Sequence, residues 1–165
     1  MAAITDLTTL THTDLAASDW LVVHDLSAAT DKKIAPFVTG TWTPQLLFGY
    51  NGSGITYTTQ SGQYTRIGNM LWVTGIIVLT SKGAATGLAT IAGLPVAVAG
   101  ISSTLSCLSF SLGASVSATS ALAVTGGSSI NLYYTPAAGA ATYSQMTNTE
   151  FGNSSILYFS GVYKV

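Results

Sequence analysis

His12, Asp14, His24 and Asp25 form the one grouping in this chain of 165 residues that looks like a metal-ligand set. Imidazoles and carboxylates bind divalent metals when a rigid element holds them together. Here all four lie on an N-terminal segment with one small apolar cluster, so they read as solvated histidines beside turn-forming aspartates. The same histidines and any of many serines could make a hydrolytic triad on paper, but no G-x-S-x-G elbow occurs to present a nucleophile. Glycoside cleavage by the two-carboxylate route needs a pair of acids, and beyond residue 36 the chain has only Glu150. Gly83–Gly87 lacks the Lys-Ser/Thr ending with which a glycine-rich loop cradles phosphate. The inventory points away from an enzyme, and no cofactor or metal is expected.

Binding chemistry is better represented. Tyr50, Tyr57, Tyr64, Tyr133, Tyr134 and Tyr143 could stack on sugar rings from exposed loops, although strand tyrosines more often pack in a core or an interface. The pair Lys32–Lys33 could meet an acidic patch on a partner, against the plainer reading of two solvated side chains. The single Cys107 excludes an internal disulfide and fits synthesis in a reducing cytoplasm.

These residues sit on two dissimilar parts. Residues 1–36 hold five of the six acids (Asp6, Asp14, Asp19, Asp25 and Asp31) together with Lys32 and Lys33, while the remainder holds only Glu150, Arg66, Lys82 and Lys164. The expected organisation is an N-terminal anchoring arm, residues 1–38, followed by a head domain, residues 39–165. Charged residues are 7% of the chain, against about 25% in ordinary soluble proteins, and the mean hydropathy is +0.48. So little charge requires either a membrane or burial against other subunits. No run approaches the roughly 18–20 apolar residues of a membrane helix, so subunit burial is expected and membrane insertion is not. No basic leader precedes an apolar stretch at Met1–Leu10. A net charge of −1 with scattered bases offers nucleic acid no field.

From Thr41 onward, runs of Val, Ile, Thr, Tyr and Trp alternate with Gly, Asn, Ser and Pro at short intervals, which predicts an all-β fold, an antiparallel β-sandwich or jelly-roll-like head preceded by a short extended N-terminal arm. Strands are expected at 41–48, 56–60, 63–67, 70–80, 89–91, 103–112, 115–124, 129–134, 142–147 and 156–165. Gly68–Asn69 predicts a tight hairpin, with similar turn signals at Asn51–Gly52, Gly126–Gly127 and Gly152–Asn153. In the arm, Trp20–Val23 and Lys33–Val38 read as strands about a turn at Ser27–Asp31. The segment 70–80 is apolar on both alternating faces, so in place of a polar outer face it should meet a second sheet or a neighbouring subunit; 156–165 repeats the pattern and is expected to pair inside a sheet. Trp72, Ile76, Val78, Tyr158 and Tyr163 are the candidates for core or trimer interface, two roles that the alternation alone does not separate.

Two phrases carry a resemblance. DLTTLTHTDLAASDWLVVHDLSAATDKKIAPFV resembles the N-terminal segment of many bacteriophage tail and virion appendage proteins, through Asp6, Leu7, Thr8, Asp19, Leu21, Val23, Asp25, Thr30, Lys32, Lys33 and Ile34. GITYTTQSGQYTRIGNMLWVTGIIVLTSKGAATGLATIAGLP is similar to the distal β-domain of phage fibre and capsid-surface proteins, with Tyr64–Asn69 its most specific run. Together they span a little over half of the chain. The resemblance implies a non-enzymatic, homotrimeric virion protein with a sandwich-type head. Fibre proteins of this kind usually separate anchor from head by a long shaft, and here only Ala35–Gly40 does so. The expectation is therefore a capsid decoration or cement protein bound to the major capsid protein, with a short tail fibre or adaptor, joined to a tail protein and binding a host glycan, as the alternative. In either, Asp6, Leu7, Trp20, Leu21, Val23, Asp25, Lys32, Lys33 and Ile34 are the expected anchoring residues.

Overall fold

The computed structural model describes residues 21–25, 30–34, 37–99, 103–111, 119–123, 127–135 and 143–165. Every regular element among them is a strand, and the chain divides into two compact units, Met1–Val38 and Thr39–Val165. Among the described residues no helix is long and apolar enough to cross a membrane.

In the first unit, β1 (Leu21–Asp25) and β2 (Thr30–Ile34) form an antiparallel hairpin with Leu21 opposite Ile34, Val23 opposite Lys32 and Asp25 opposite Thr30. Thr30 and Asp31 of the predicted turn at Ser27–Asp31 belong to β2, which therefore starts earlier than the predicted return strand Lys33–Val38, and residues 26–29 lie outside the described residues. Register places Leu21, Val23, Asp25, Lys32 and Ile34 on one face and Lys33 on the other.

The second unit is an antiparallel β-sandwich built from β3 (Val38–Trp42, which begins at the unit boundary), β4 (Gln45–Phe48), β5 (Thr56–Ile67), β6 (Met70–Ser81), β7 (Ala89–Ala92), β8 (Ser103–Ser111), β9 (Thr119–Ala123), β10 (Ser129–Tyr134), β11 (Ser144–Gln145) and β12 (Ile156–Lys164). Pairing runs β3-β5-β6-β12-β8-β9-β10-β7-β4, with β11 on β10. Strand β8 belongs to both layers, because Ser106–Ser111 pair with β12 while Ser103–Leu105 pair with β9. At the opposite side, Thr43–Pro44 carries the chain from β3 in one layer to β4 in the other. Proline lacks the N–H that a continuing ladder needs, which explains why the predicted strand 41–48 is broken into two.

Side chains fasten these edges. The Tyr57 hydroxyl accepts from Leu46 N at 3.1 Å and donates to Leu46 O at 3.2 Å, and Gln60 Nε2 donates to Pro44 O at 2.8 Å. Between the layers, Leu71, Val73, Ile77 and Leu79 of β6 and Leu157, Phe159 and Tyr163 of β12 face Leu46, Phe48, Ile91, Ile130, Leu132 and Phe151 in one buried cluster.

Two further expectations are corrected. Strands predicted at 56–60 and 63–67 are one strand of 12 residues, since Ser61 and Gly62 remain in the ladder opposite Ile76 and Gly75. The turn signal at Asn51–Gly52 belongs two residues earlier: Phe48 and Asn51 exchange backbone hydrogen bonds at 2.9 and 3.1 Å around Gly49–Tyr50, both with positive φ (59° and 64°). That is the sign pattern of a type I′ turn. Gly68–Asn69 does close the β5–β6 hairpin, with Ile67 opposite Met70 and positive φ at Gly68.

Tyr50 holds a left-handed conformation with its side chain 82% exposed, so strain of about 1–3 kcal/mol is met by almost no burial. Tyr50→Gly is expected to raise stability by about 1 kcal/mol, read as a higher urea midpoint at constant slope. A lower midpoint would mean that the tyrosine packs more than its exposure indicates.

Candidate functional site

The outer face of β5-β6-β12 departs from an ordinary solvated sheet surface, with Trp72 and Tyr158 exposed on it. The departure begins with two glycines. Gly62 and Gly75 are directly paired, and Gly75 is also opposite Phe159. On the inner face their missing side chains admit two rings: a Cβ at Gly62 would overlap the Trp42 indole and one at Gly75 the Phe159 ring. Trp42 and Phe159 meet edge-on at a centroid distance of 5.8 Å, and Trp42 Nε1 donates to Thr74 O at 3.2 Å.

On the outer face, the backbone at Gly62, Gly75 and Phe159 floors an open groove of about 420 Å³, walled by Ser61, Gln63, Thr74, Ile76, Tyr158 and Ser160. Register arranges these side chains in rows across the strands: Thr65–Trp72–Val162, then Gln63–Thr74–Ser160, then Ser61–Ile76–Tyr158, then Thr59–Val78–Ile156. No residue in these four rows is charged. Trp72 and Tyr158 are 45% and 43% exposed, and Ile76, Val78, Ile156 and Val162 are partly so.

The structure thus separates the residues grouped as core or interface. Tyr163 is fully buried, its hydroxyl donating to Val96 O at 3.0 Å and its pKa pushed up to about 12 by burial, with that hydrogen bond pulling the other way. Trp72, Ile76, Val78 and Tyr158 come together on the outer face instead. Asp6, Leu7 and Trp20 lie outside the described residues, while Leu21, Val23, Asp25, Lys32, Lys33 and Ile34 belong to the β1–β2 hairpin. Of the groove residues, Ser61, Gln63, Thr74 and Ser160 are not found by sequence reasoning. The available signal was Gly75, a glycine interrupting an apolar strand, which often marks a close approach of other groups.

The acid of the second unit is occupied elsewhere. Glu150 Oε2 accepts from Thr147 N at 2.6 Å and Thr147 Oγ1 at 3.0 Å, and Oε1 accepts from Thr149 Oγ1 at 2.8 Å. Burial alone would raise its pKa, but these hydrogen bonds outweigh it and hold the carboxyl below its usual range. The nearby loop is pinned by Lys82 Nζ on Asn148 O and Gly87 N on Asn148 Oδ1, both at 3.0 Å. Among the described residues no three of His, Cys, Asp and Glu converge as metal ligands.

No protein-family model matches the chain, and no curated protein does. Among solved structures, it is similar to the crystal structure of the Dettilon tailspike protein, with 25% sequence identity and a TM-score of 0.63. The match covers 78% of this chain and 24% of the tailspike. The chain therefore spans about a quarter of that protein's length, and at this coarse level the likeness is to a phage virion protein.

Proposed function

We propose that this chain is a non-enzymatic structural protein of a phage virion, part of a tail appendage, attached through residues 1–38 and displaying residues 39–165. The observation that carries this is the similarity to a tailspike protein over most of the chain. From the sequence, capsid decoration on the major capsid protein ranks ahead of a tail location; likeness to a tail component supports the tail reading proposed here. The commitment of Glu150 to its own turn supports a structural reading over a hydrolytic one.

The first unit is the assembly device in this reading. A two-stranded hairpin is marginal in isolation, so β1–β2 gains from burial against symmetry copies and a tail protein. A homotrimer gathered there would join three weak attachments into one strong one through effective concentration.

Quantitative mass spectrometry of purified virions tests the location. A copy number far below that of the major capsid protein, with antibody label on the tail, is expected; a number comparable to the major capsid protein would make it a decoration protein instead. Deleting residues 1–36 is expected to leave the β-domain folded by circular dichroism yet absent from particles. Particles that retain the truncated protein would remove the attachment role from that segment.

A further inference from the structure

We propose that the groove on the outer face of β5-β6-β12 is a binding site for a neutral saccharide chain, an inference that takes its biological setting from the displayed-appendage reading above. Along the strands the surface alternates in character: the Trp72 row, the polar row of Gln63, Thr74 and Ser160, then the row of Ile76 and Tyr158. Successive rows are two residues apart, roughly 7 Å, so Trp72 and Tyr158 lie in rows about 13 Å apart with polar groups between. A sugar chain has the matching chemistry, because each ring offers an apolar C–H face for an aromatic side chain and hydroxyls around its rim.

The polar row is suited to those hydroxyls. An amide and two side-chain hydroxyls together donate and accept, and none of the three side chains has a hydrogen-bond partner among the described residues. A purely apolar partner would desolvate these groups without replacing their water hydrogen bonds. An anionic ligand would find no cation in these rows, since Lys164 belongs to the next row, beside Met70. The groove is open rather than enclosed and crosses three strands, which suits a polymer passing over the sheet.

The test uses the full chain and soluble linear oligosaccharides of glucose, galactose, mannose, rhamnose and N-acetylglucosamine, with binding measured by calorimetry. At least one is expected to bind with an affinity insensitive to salt. Trp72→Ala and Tyr158→Ala should each weaken it by roughly tenfold, the upper range for one aromatic contact, and Gln63→Ala should weaken it less. Trp72→Tyr should restore most of the affinity, and Leu88→Ser, an exposed position on another part of the domain, should leave it unchanged. Circular dichroism confirms that each variant is folded.

Absence of binding across the panel overturns the proposal, as does binding that neither aromatic variant alters. Light scattering supplies a third opposing result: an oligomer that both variants convert to monomer would mean that a second copy covers the face. A virion-borne protein that binds no sugar sinks the groove alone. A protein missing from virions that still binds through Trp72 and Tyr158 sinks the appendage reading and leaves the groove.

Discussion

Replacing Gly75 by valine is expected to abolish cooperative folding of the β-domain, and even Gly75→Ala should cost about 3 kcal/mol, the upper end for an added carbon in a packed core. A Cβ at this position would overlap the far edge of the Phe159 ring. Small movements cannot relieve that overlap, because Phe159 is buried and its ring meets Trp42 edge-on at 5.8 Å. Trp42 is itself held, with its indole over Gly62 and its Nε1 bonded to Thr74 O. Two glycines and two rings therefore form one unit, in which glycine's entropic cost in a strand is offset by the rings it admits. With total stability of a small domain at about 5–15 kcal/mol, the three carbons added by valine exceed what the site can absorb. Urea denaturation of Gly75→Ala, alone and with Phe159→Leu, checks the mechanism. The second change should recover part of the loss by making room, so two simply additive penalties would place the strain elsewhere. Thr74→Ala, one residue away on the outer face, is expected to stay within about 0.5 kcal/mol of wild type.

The legible parts of this fold are those where period-two alternation and turn chemistry agree. In β6, Leu71, Val73, Ile77 and Leu79 form one alternating set and are buried together, and Gly68–Asn69 fixes the hairpin that sets their register. Which set faced inward was not legible, since Met70, Trp72, Ile76 and Val78 are equally apolar. The same ambiguity joined Tyr158 to Tyr163 in β12, five residues apart and therefore on opposite faces. Gly62 misled for a physical reason: Ser-Gly is a common turn dipeptide, and only the Trp42 ring, 20 residues away in sequence, shows why a glycine belongs inside a ladder. The groove was hidden because its floor is backbone and its walls come from three strands whose registers no local pattern encodes. Its exposed aromatics were visible as residues, but the polar row between them exists only once β5, β6 and β12 are aligned.

Alkaline pH should destabilise the domain through Tyr163, and Tyr163→Phe should reverse its effect between neutrality and pH 12. Burial raises the pKa of this phenol from 10.0 to about 12, only partly offset by its hydrogen bond to Val96 O. Below pH 10 both folded and unfolded states keep the phenol neutral, so its contribution is fully present. Between 10 and 12 the unfolded chain ionises while the folded one holds its proton, and stability falls as pH rises. Across that window the loss approaches about 3 kcal/mol, two pKa units at about 1.4 kcal/mol each. The Tyr57 pKa is also raised by burial, against an opposing hydrogen bond with Leu46, so some alkaline sensitivity remains in the variant. At pH 7, Tyr163→Phe should cost about 1 kcal/mol, because Val96 O loses its donor in a partly buried place. Near pH 12 the phenylalanine variant should be the more stable of the two, having no buried proton to lose. Urea midpoints at several pH values from 7 to 12 give both curves. Curves that cross would confirm that Tyr163 titrates inside the core, whereas parallel decline would assign the alkaline loss to other groups.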